Sequence, residues 1–255
     1  MTRPPAHPLR YSVHTRLREY QLGRMMRGGG GKLLDIGCGV GYLTRALGGG
    51  YRTVGLEYDF ESLKVNVQNG MAMAVRGGAW ELPIKSGSLD AVLCSEVFEH
   101  MPDGKDLELA REIARVLRPG GRAYVTVPAL EGLRSRAPLR NIGHDIPGSG
   151  EYHYRLGYSA DDMRRVISGV PGLKVARMRH SMALFSELFM DLLKLVYLKK
   201  NKMKEQSDLM SMGDSPLFKI YRAVFPILHA LFVAEDFLLC PVIKGHILVA
   251  ELEKV

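Results

Sequence analysis

The stretch LLDIGCGVGYLT, residues 33–44, joins an apolar run to a helical pattern through three glycines. Gly37, Gly39 and Gly41 let the chain turn tightly and let another molecule approach the backbone, while the helix that follows offers unpaired N–H groups. The spacing differs from the GxGxxG fingerprint of dinucleotide-binding folds. A glycine triplet alone fits either a nucleotide site or an ordinary tight turn.

Short apolar runs alternate with helical patterns on both sides of this loop. The runs are continuous, as expected of strands buried on both faces of a parallel sheet. They are KLLDI (32–36), RTVGLE (52–57), MAMAV (71–75), LDAVLCS (89–95) and RAYVTVP (122–128); LKVARMRHS (173–181) reads as a sixth strand, and GHILVAELEKV (245–255) as a seventh whose alternation of apolar and polar residues suits a sheet edge. The pattern predicts an α/β fold with a doubly wound, mostly parallel, seven-stranded sheet.

Two helices have clear boundary signals. The stretch DLELAREIARVLRPGG, residues 106–121, has an apolar stripe and a stop at Pro119 and Gly120. Ser159 and Asp162 have the spacing of a capping box that opens another helix.

An acidic residue ends the second predicted strand. Glu57 follows Gly37 by twenty residues, the spacing at which a carboxylate at a strand tip accepts both ribose hydroxyls of a bound nucleoside. The glycine loop and Glu57 together predict a nucleoside site at the carboxyl edge of the sheet.

Four segments, in this order and spacing, resemble the class I S-adenosylmethionine-dependent methyltransferases: LLDIGCGVG, VGLE, GGAWELPIKSGSLDAVLCSEVFEHMPD and REIARVLRPGGRAYVTVP. The likeness covers about residues 32–128 and implies a Rossmann-like methyltransferase fold with S-adenosylmethionine as cofactor. It implies contacts to the methionine part near Asp35, to the ribose at Glu57 and to the adenine edge at 78–80. The full set of cofactor-binding residues that it implies is Asp35, Gly37, Cys38, Gly39, Glu57, Tyr58, Ala79, Trp80, Ser95 and Glu96.

The adenine edge departs from the family pattern. The family often has an acidic residue where this chain has Gly78. We therefore expect Trp80 or the backbone of Ala79 to contact the adenine instead.

The stretch CSEVFEHMPDG, residues 94–104, sets two carboxylates and an imidazole after the fourth strand. A helical turn starting at Glu96 would give Glu96, Glu99 and His100 a shared face. We favour a metal-free site in which His100 is a general base or orienting group, and the candidate catalytic residues are His100, Glu99 and His153. The alternative is a divalent metal on Glu96, Glu99, His100 and His153, because ExxEH resembles the metal-binding motif of ubiquinone-pathway O-methyltransferases and small-RNA 2′-O-methyltransferases.

The loop 129–158 follows the fifth strand and contains His144 and His153. A long loop at this end of an α/β sheet is either a substrate lid or an ordinary surface excursion.

The segment 182–243 is a predicted helical insertion before the last strand, within a methyltransferase domain of residues 1–181 and 244–255. Its first half is an apolar helix with a basic end, and Pro226 is expected to kink or divide its second half. Three interpretations stay open: docking on an anionic membrane surface, a hydrophobic cap over an apolar substrate, and a helical layer or dimer interface. The basic end consists of Lys194, Lys199, Lys200, Lys202 and Lys204.

Charge, cysteine content and the length of the apolar runs indicate the compartment in which we expect the protein. The net charge is +8 and there are three cysteines without a CxxC pair, which fits a reducing compartment and an anionic partner. The longest uncharged run of the insertion, 223–234, is shorter than the roughly 18 apolar residues that a membrane span needs. We expect a cytoplasmic protein, with peripheral attachment to the inner face of the membrane as an option.

The sequence thus predicts an S-adenosylmethionine-dependent methyltransferase that acts on an oxygen of a hydrophobic or lipid-linked small molecule. An RNA 2′-O-methyltransferase is the alternative enzyme, favoured by charge and ExxEH, although no RNA-binding module is evident. A cofactor-binding, membrane-associated protein without catalysis is the alternative outside the enzymes. The oligomeric state stays open.

Overall fold

The computed structural model describes residues 8–71, 73–132, 154–201 and 216–255. The strands in these ranges are β1 (Gly31–Ile36), β2 (Tyr51–Glu57), β3 (Ala74–Arg76), β4 (Leu89–Ser95), β5 (Leu117–Pro128), β6 (Leu173–Ser181) and β7 (Ile247–Lys254). The helices are α1 (Val13–Met25), α2 (Tyr42–Leu47), α3 (Phe60–Gln68), α4 (Lys105–Val116), α5 (Ala160–Ser168), α6 (Phe185–Asn201) and α7 (Pro216–Leu239). Short 3-10 turns lie at Pro8–Tyr11, Gly48–Gly50 and Phe98–His100.

The strands form one sheet in the order β3-β2-β1-β4-β5-β7-β6. The pairs from β3 through β5 are parallel, whereas β7 is antiparallel to both β5 and β6. This confirms the doubly wound, mostly parallel sheet. The strand order reverses between β1 and β4, and ligands of such sheets bind in the crevice at the carboxyl ends of the strands at that reversal.

The position expected for the last strand is wrong. β7 lies between β5 and β6 and most of its residues are buried, so β6 is the edge strand. The apparent alternation came from Glu251, which is buried but pairs with Arg122 at 2.6 Å between Nη1 and Oε1. The sequence pattern suggested that Glu251 faces solvent, whereas it is a buried carboxylate paired with an arginine.

Two further strand boundaries differ from the prediction. β5 begins at Leu117 rather than at residue 122, because Leu117 already pairs with Leu89, before an irregularity in the register. β3 covers Ala74–Arg76 rather than 71–75. The Met71 N–H donates to the carbonyl of Asn66 at 3.2 Å, which keeps that residue with the end of α3.

Helices cover both faces of the sheet. On one face α4 and α5 bury Leu109, Ile113 and Ile167. The predicted capping box is confirmed at the start of α5, where Ser159 and Asp162 each accept a hydrogen bond from the other's backbone N–H. On the opposite face α1, α6 and α7 pack against β1, β4, β5 and β7 through Leu17, Met190, Phe225, Phe232, Leu33, Leu93, Tyr124 and Val249.

Helix α7 belongs to this second layer, which agrees with the helical-layer interpretation of the insertion. It is continuous through Pro226, so the expected division does not occur. No helix in the described ranges is long and apolar enough to cross a membrane.

Two neighbouring carboxylates fix α7 to the rest of the chain. Asp236 is fully buried and accepts hydrogen bonds from Gln21 Nε2 at 2.7 Å, from the Met182 N–H at 2.7 Å and from the Ser181 hydroxyl. Glu235 accepts from the Phe185 and Ser186 N–H groups and so satisfies the start of α6. Asp236 therefore joins α7 to α1 and to the end of β6.

Candidate active site

The loop between β1 and α2 passes close to the segment that follows β4. Gly37, Gly39 and Gly41 have φ values of 67°, 50° and 74°, in the left-handed region that glycine adopts readily. A Cβ on Gly37 would lie 2.5 Å from Val97 Cγ2, so no larger residue fits there without a shift. A Cβ on Gly39 would meet no atom of the described chain within 4 Å, so this side of the loop has room for a ligand.

Glu57 lies against this loop. Its Oε2 accepts a hydrogen bond from the Gly39 N–H at 2.7 Å, and its Oε1 accepts one from the Asp59 N–H at 2.9 Å. The end of β2 and the glycine loop therefore converge at one point of the carboxyl edge. The ribose contact expected of Glu57 stays a prediction.

Asp35 braces the loop from inside the protein. It is buried and accepts a hydrogen bond from Thr44 Oγ1 on α2. Burial raises the pKa of Asp35 to about 7; the Thr44 hydrogen bond opposes this rise and the charge of Glu57 adds to it. Near neutral pH this carboxyl group is therefore partly protonated, and it supports the loop through Thr44; the contact to the methionine part expected near Asp35 stays a prediction.

Cys38 also faces the interior. Asn66 Nδ2 donates to its Sγ at 3.1 Å, and burial raises the pKa of the thiol to about 12, so the sulfur is neutral. The sulfur fills the space beside Gly55, where a Cβ would lie 2.7 Å away from it. A contact between Cys38 and a cofactor would therefore involve its backbone.

The predicted adenine edge has an exposed aromatic ring. Trp80 and Tyr58 are exposed, whereas Ala79 is buried. A Cβ on Gly78 would lie 3.3 Å from Trp80 Cζ2, which is tighter than ordinary packing. A side chain at position 78 would therefore require a small shift of the Trp80 indole.

Beyond β4 the backbone turns sharply at Glu96, a non-glycine residue with φ of 58°. Its N–H donates to the Thr126 carbonyl at 2.9 Å, and its Oε1 accepts from Thr126 Oγ1 at 3.0 Å. The Thr126 hydroxyl also lies 2.8 Å from Ser95 Oγ. These contacts join the ends of β4 and β5 at the crevice.

Arg18 reaches the same point from α1. Its Nη1 donates to Ser95 Oγ at 3.3 Å and lies 3.8 Å from Glu96 Oε1. Sequence reasoning missed Arg18 and Thr126, because no motif links either residue to the end of β4.

The shared face expected for Glu96, Glu99 and His100 is wrong. The turn after β4 is a 3-10 helix that begins at Phe98, and Glu96 precedes it in a left-handed conformation. Glu99 is buried, whereas His100 is half-buried. Within the described ranges no group of three or more His, Cys, Asp or Glu side chains is arranged to hold a metal ion. His153, the fourth ligand of that alternative, lies outside these ranges, as does His144.

The last residues of the loop 129–158 form hydrogen bonds with this turn and with the start of α4. The Arg155 N–H donates to the Glu99 carbonyl at 3.2 Å, and Arg155 Nη1 donates to Asp106 Oδ2 at 2.8 Å. The Tyr158 hydroxyl donates to the Phe98 carbonyl at 3.0 Å. The end of the loop thus fixes the position of the turn that carries His100.

Comparison with known proteins finds methyltransferases, both by a family model and by similar sequences. Residues 34–125 match the family model described as a methyltransferase domain. The chain is 31% identical over 147 residues to the 27-O-demethylrifamycin SV methyltransferase of Amycolatopsis mediterranei, covering 52% of this chain and 53% of that protein. It is 31% identical over 162 residues to a ubiquinone biosynthesis O-methyltransferase of Xanthomonas axonopodis pv. citri, covering 59% of this chain and 65% of that protein.

A solved S-adenosylmethionine-dependent methyltransferase from Thermotoga maritima has the same fold. Its TM-score is 0.59 at 14% identity, with 97% of this chain and 92% of that chain covered. The chain spans about half the length of the first curated relative and less than two thirds of the second. The matching domain, the sheet order and the glycine loop agree: residues 34–125 form a methyltransferase domain, and the sheet has the fold of the class I S-adenosylmethionine-dependent methyltransferases.

Proposed function

We propose that this protein transfers a methyl group from S-adenosylmethionine to an oxygen of a hydrophobic or lipid-linked small molecule. The observation that carries the proposal is the convergence of the Gly37–Gly41 loop and the Glu57 carboxylate at the carboxyl edge of the sheet. The open side of Gly39 has room for the cofactor, and the Glu57 oxygens are suitable acceptors for ribose hydroxyls. The two relatives named for O-methylation support oxygen as the acceptor atom.

The bound cofactor would supply an activated methyl group on a sulfonium. The protein then has to align the acceptor oxygen with the methyl carbon, exclude water and accept the hydroxyl proton. We assign proton acceptance to His100, because it lies in the turn that follows β4, at the carboxyl edge of the sheet, and the Arg155 N–H is bonded to that turn. The contacts of Arg18 with Ser95 and Glu96 would hold the end of β4 in place beside the reacting groups.

Replacing His100 by Ala should lower methyl transfer about a hundredfold or more, the usual contribution of a general base. Cofactor affinity should stay nearly unchanged, because no cofactor contact is assigned to the imidazole. The measurement is transfer of a tritium-labelled methyl group into lipid and RNA extracts, together with calorimetric titration of S-adenosylhomocysteine. An equal loss of cofactor affinity would contradict the assignment.

The extract in which the label appears separates the alternatives. Label in the organic phase supports a lipid-like acceptor, and label in RNA supports the 2′-O-methyltransferase. Cofactor binding without label in either extract supports the protein without catalysis.

We further propose that the reaction takes place at an anionic membrane surface. The outer side of α7 exposes Ile220, Val224, Ile227, Leu231 and Leu238, spaced as one helical stripe, and α6 adds Phe185, Leu188 and Leu192. The two carboxylates of α7, Glu235 and Asp236, are buried and engaged in hydrogen bonds. Lys219, next to Ile220, is exposed and suits anionic headgroups, whereas Arg222 lies over the Tyr11 ring at 5.0 Å, away from the stripe. The predicted lysine-rich end of α6 adds to this argument by sequence alone, because its side chains lie outside the described residues.

A flotation assay tests this surface. The protein should float with phosphatidylcholine vesicles that contain phosphatidylglycerol and less with phosphatidylcholine alone. The variant Ile227→Ser/Leu231→Ser should lose about 2 kcal/mol of apolar transfer energy, or about thirtyfold in partition constant.

The matched control is Val65→Ser/Val67→Ser, which removes exposed apolar side chains of α3 instead. Equal flotation of both double variants, or flotation independent of phosphatidylglycerol, would refute membrane docking by α7.

A further inference from the structure

A cleft of about 500 Å³ lies between the beginning of α1 and the middle of α7. It has two arginines, one histidine, three aromatic rings and one proline in its walls. These residues are Arg10, Tyr11, Arg16, Tyr42, Phe225, Pro226 and His229.

The cleft borders the proposed cofactor site. Tyr42 is the first residue of α2, directly after the glycine loop, and its hydroxyl donates to Glu19 Oε2 on α1 at 2.9 Å. One residue earlier on α1, Arg18 contacts Ser95 at the end of β4. The middle of α1 therefore lies at the carboxyl edge of the sheet, and because Tyr42 lines the cleft, a molecule there would lie beside the residue that follows the glycine loop.

The walls of the cleft suit a flat, apolar molecule. The Phe225 ring stacks almost parallel to the His229 imidazole, with 6.1 Å between centroids, and Tyr11 meets Phe225 edge to face at 5.7 Å. Pro226 adds a further apolar surface and has no N–H group of its own to satisfy. Aromatic and proline walls of this kind bind rings through contact area rather than through hydrogen bonds.

The charges around the cleft are mostly positive. Arg10 and Arg16 line it, and Arg222 lies over the Tyr11 ring at 5.0 Å. The nearby carboxylate is Glu19, which pairs with Arg16 and accepts from Tyr42. One carboxylate against three guanidinium groups leaves an excess of positive charge, which favours an anion.

The cleft also has a buried polar atom without a partner. His229 Nδ1 is inaccessible to solvent and has no hydrogen-bond partner among the described residues. Burial and the charge of Arg16 lower the pKa of His229, so the imidazole is neutral near pH 7. Because Nδ1 is enclosed, a ligand in the cleft would meet the neutral ring of His229 and not this nitrogen.

We infer that this cleft is the acceptor site and that the acceptor is a flat, apolar molecule bearing an acidic group that pairs with Arg10 and Arg16. This inference rests on the proposed function and specifies its substrate class. The acid group gives the acceptor a fixed orientation next to the glycine loop, whereas apolar contacts alone would leave it free to rotate in the cleft.

The inference is tested with naphthoate and naphthamide, two probes with the same ring system that differ in charge. Protein saturated with S-adenosylhomocysteine should bind naphthoate about tenfold more tightly than naphthamide in calorimetric titration, as expected for a charged group paired with arginine. The double variant Arg10→Gln/Arg16→Gln should lose this preference while binding naphthamide as the unaltered protein does. Retained naphthamide binding also shows that the cleft of the variant is folded.

The matched control is Arg24→Gln/Arg27→Gln, which removes the same charge from exposed positions at the other end of α1. It should keep the preference for naphthoate. Equal affinities for both probes in the unaltered protein, or a preference that survives Arg10→Gln/Arg16→Gln, would overturn the inference. Failure of S-adenosylhomocysteine to bind would instead overturn the proposed function, so the two failures are distinct.

Discussion

Replacing Glu57 by Gln should weaken the binding of S-adenosylhomocysteine by about a hundredfold. A carboxylate that accepts from two ribose hydroxyls makes two charge-assisted hydrogen bonds, and losing their charged character costs about 3 kcal/mol in total. The glutamine also has one carbonyl oxygen in place of two, so it cannot satisfy both the Gly39 and the Asp59 N–H groups. Calorimetric titration of the purified variant measures the loss directly.

The control for this experiment is Glu61→Gln on α3. Glu61 is exposed and forms a surface ion pair with Lys64, so its loss should leave cofactor affinity unchanged. If Glu57→Gln binds S-adenosylhomocysteine as tightly as the unaltered protein, the adenosyl group lies elsewhere and the proposed cofactor site is wrong.

Replacing Asp236 by Ala should destabilise the folded protein by about 4 kcal/mol, because each of three buried donors left without an acceptor costs about 1–3 kcal/mol. The alanine leaves the Gln21 amide, the Met182 N–H and the Ser181 hydroxyl without their acceptor in the interior. Burial raises the pKa of Asp236 and these hydrogen bonds oppose the rise. Urea unfolding followed by circular dichroism measures the change.

The control is Asp161→Ala on α5, an exposed residue with a surface ion pair to Arg164, for which a change below about 1 kcal/mol is expected. A loss below about 1 kcal/mol for Asp236→Ala would contradict the role of this network. Because Asp236 joins α7 to α1 and β6, we also expect a single unfolding transition that includes the 182–243 segment. The division of the chain into a methyltransferase domain and an insertion at 182–243 stays a prediction.

Part of the candidate site was predictable because it is encoded locally. The glycine loop follows a buried strand within twelve residues, and Glu57 ends the next strand, so parallel pairing alone brings them together. That Glu96 and His100 do not share a helical face was not predictable, because it depended on the backbone conformation of Glu96 alone. The bonds from Thr126 to Glu96 hold that residue in a left-handed turn, and the sequence around it reads equally well as a helix start.

The sequence by itself determined the strand runs, the reversal between β1 and β4, the glycine loop with its acidic partner, and the resemblance to the methyltransferases. These features can be read from short segments, because apolar runs indicate buried strands and glycines indicate a backbone that can turn tightly. Only the tertiary structure decided that Arg18 contacts Ser95, that Gln21 contacts Asp236, and that Arg16 and His229 line one cleft. The first two pairs are 77 and 215 residues apart; packing of α1 on the sheet brings the first together, and packing of α1 beside α7 brings the second together. The apolar periodicity of a helix shows which of its faces is buried, but it does not show which other helix packs against that face.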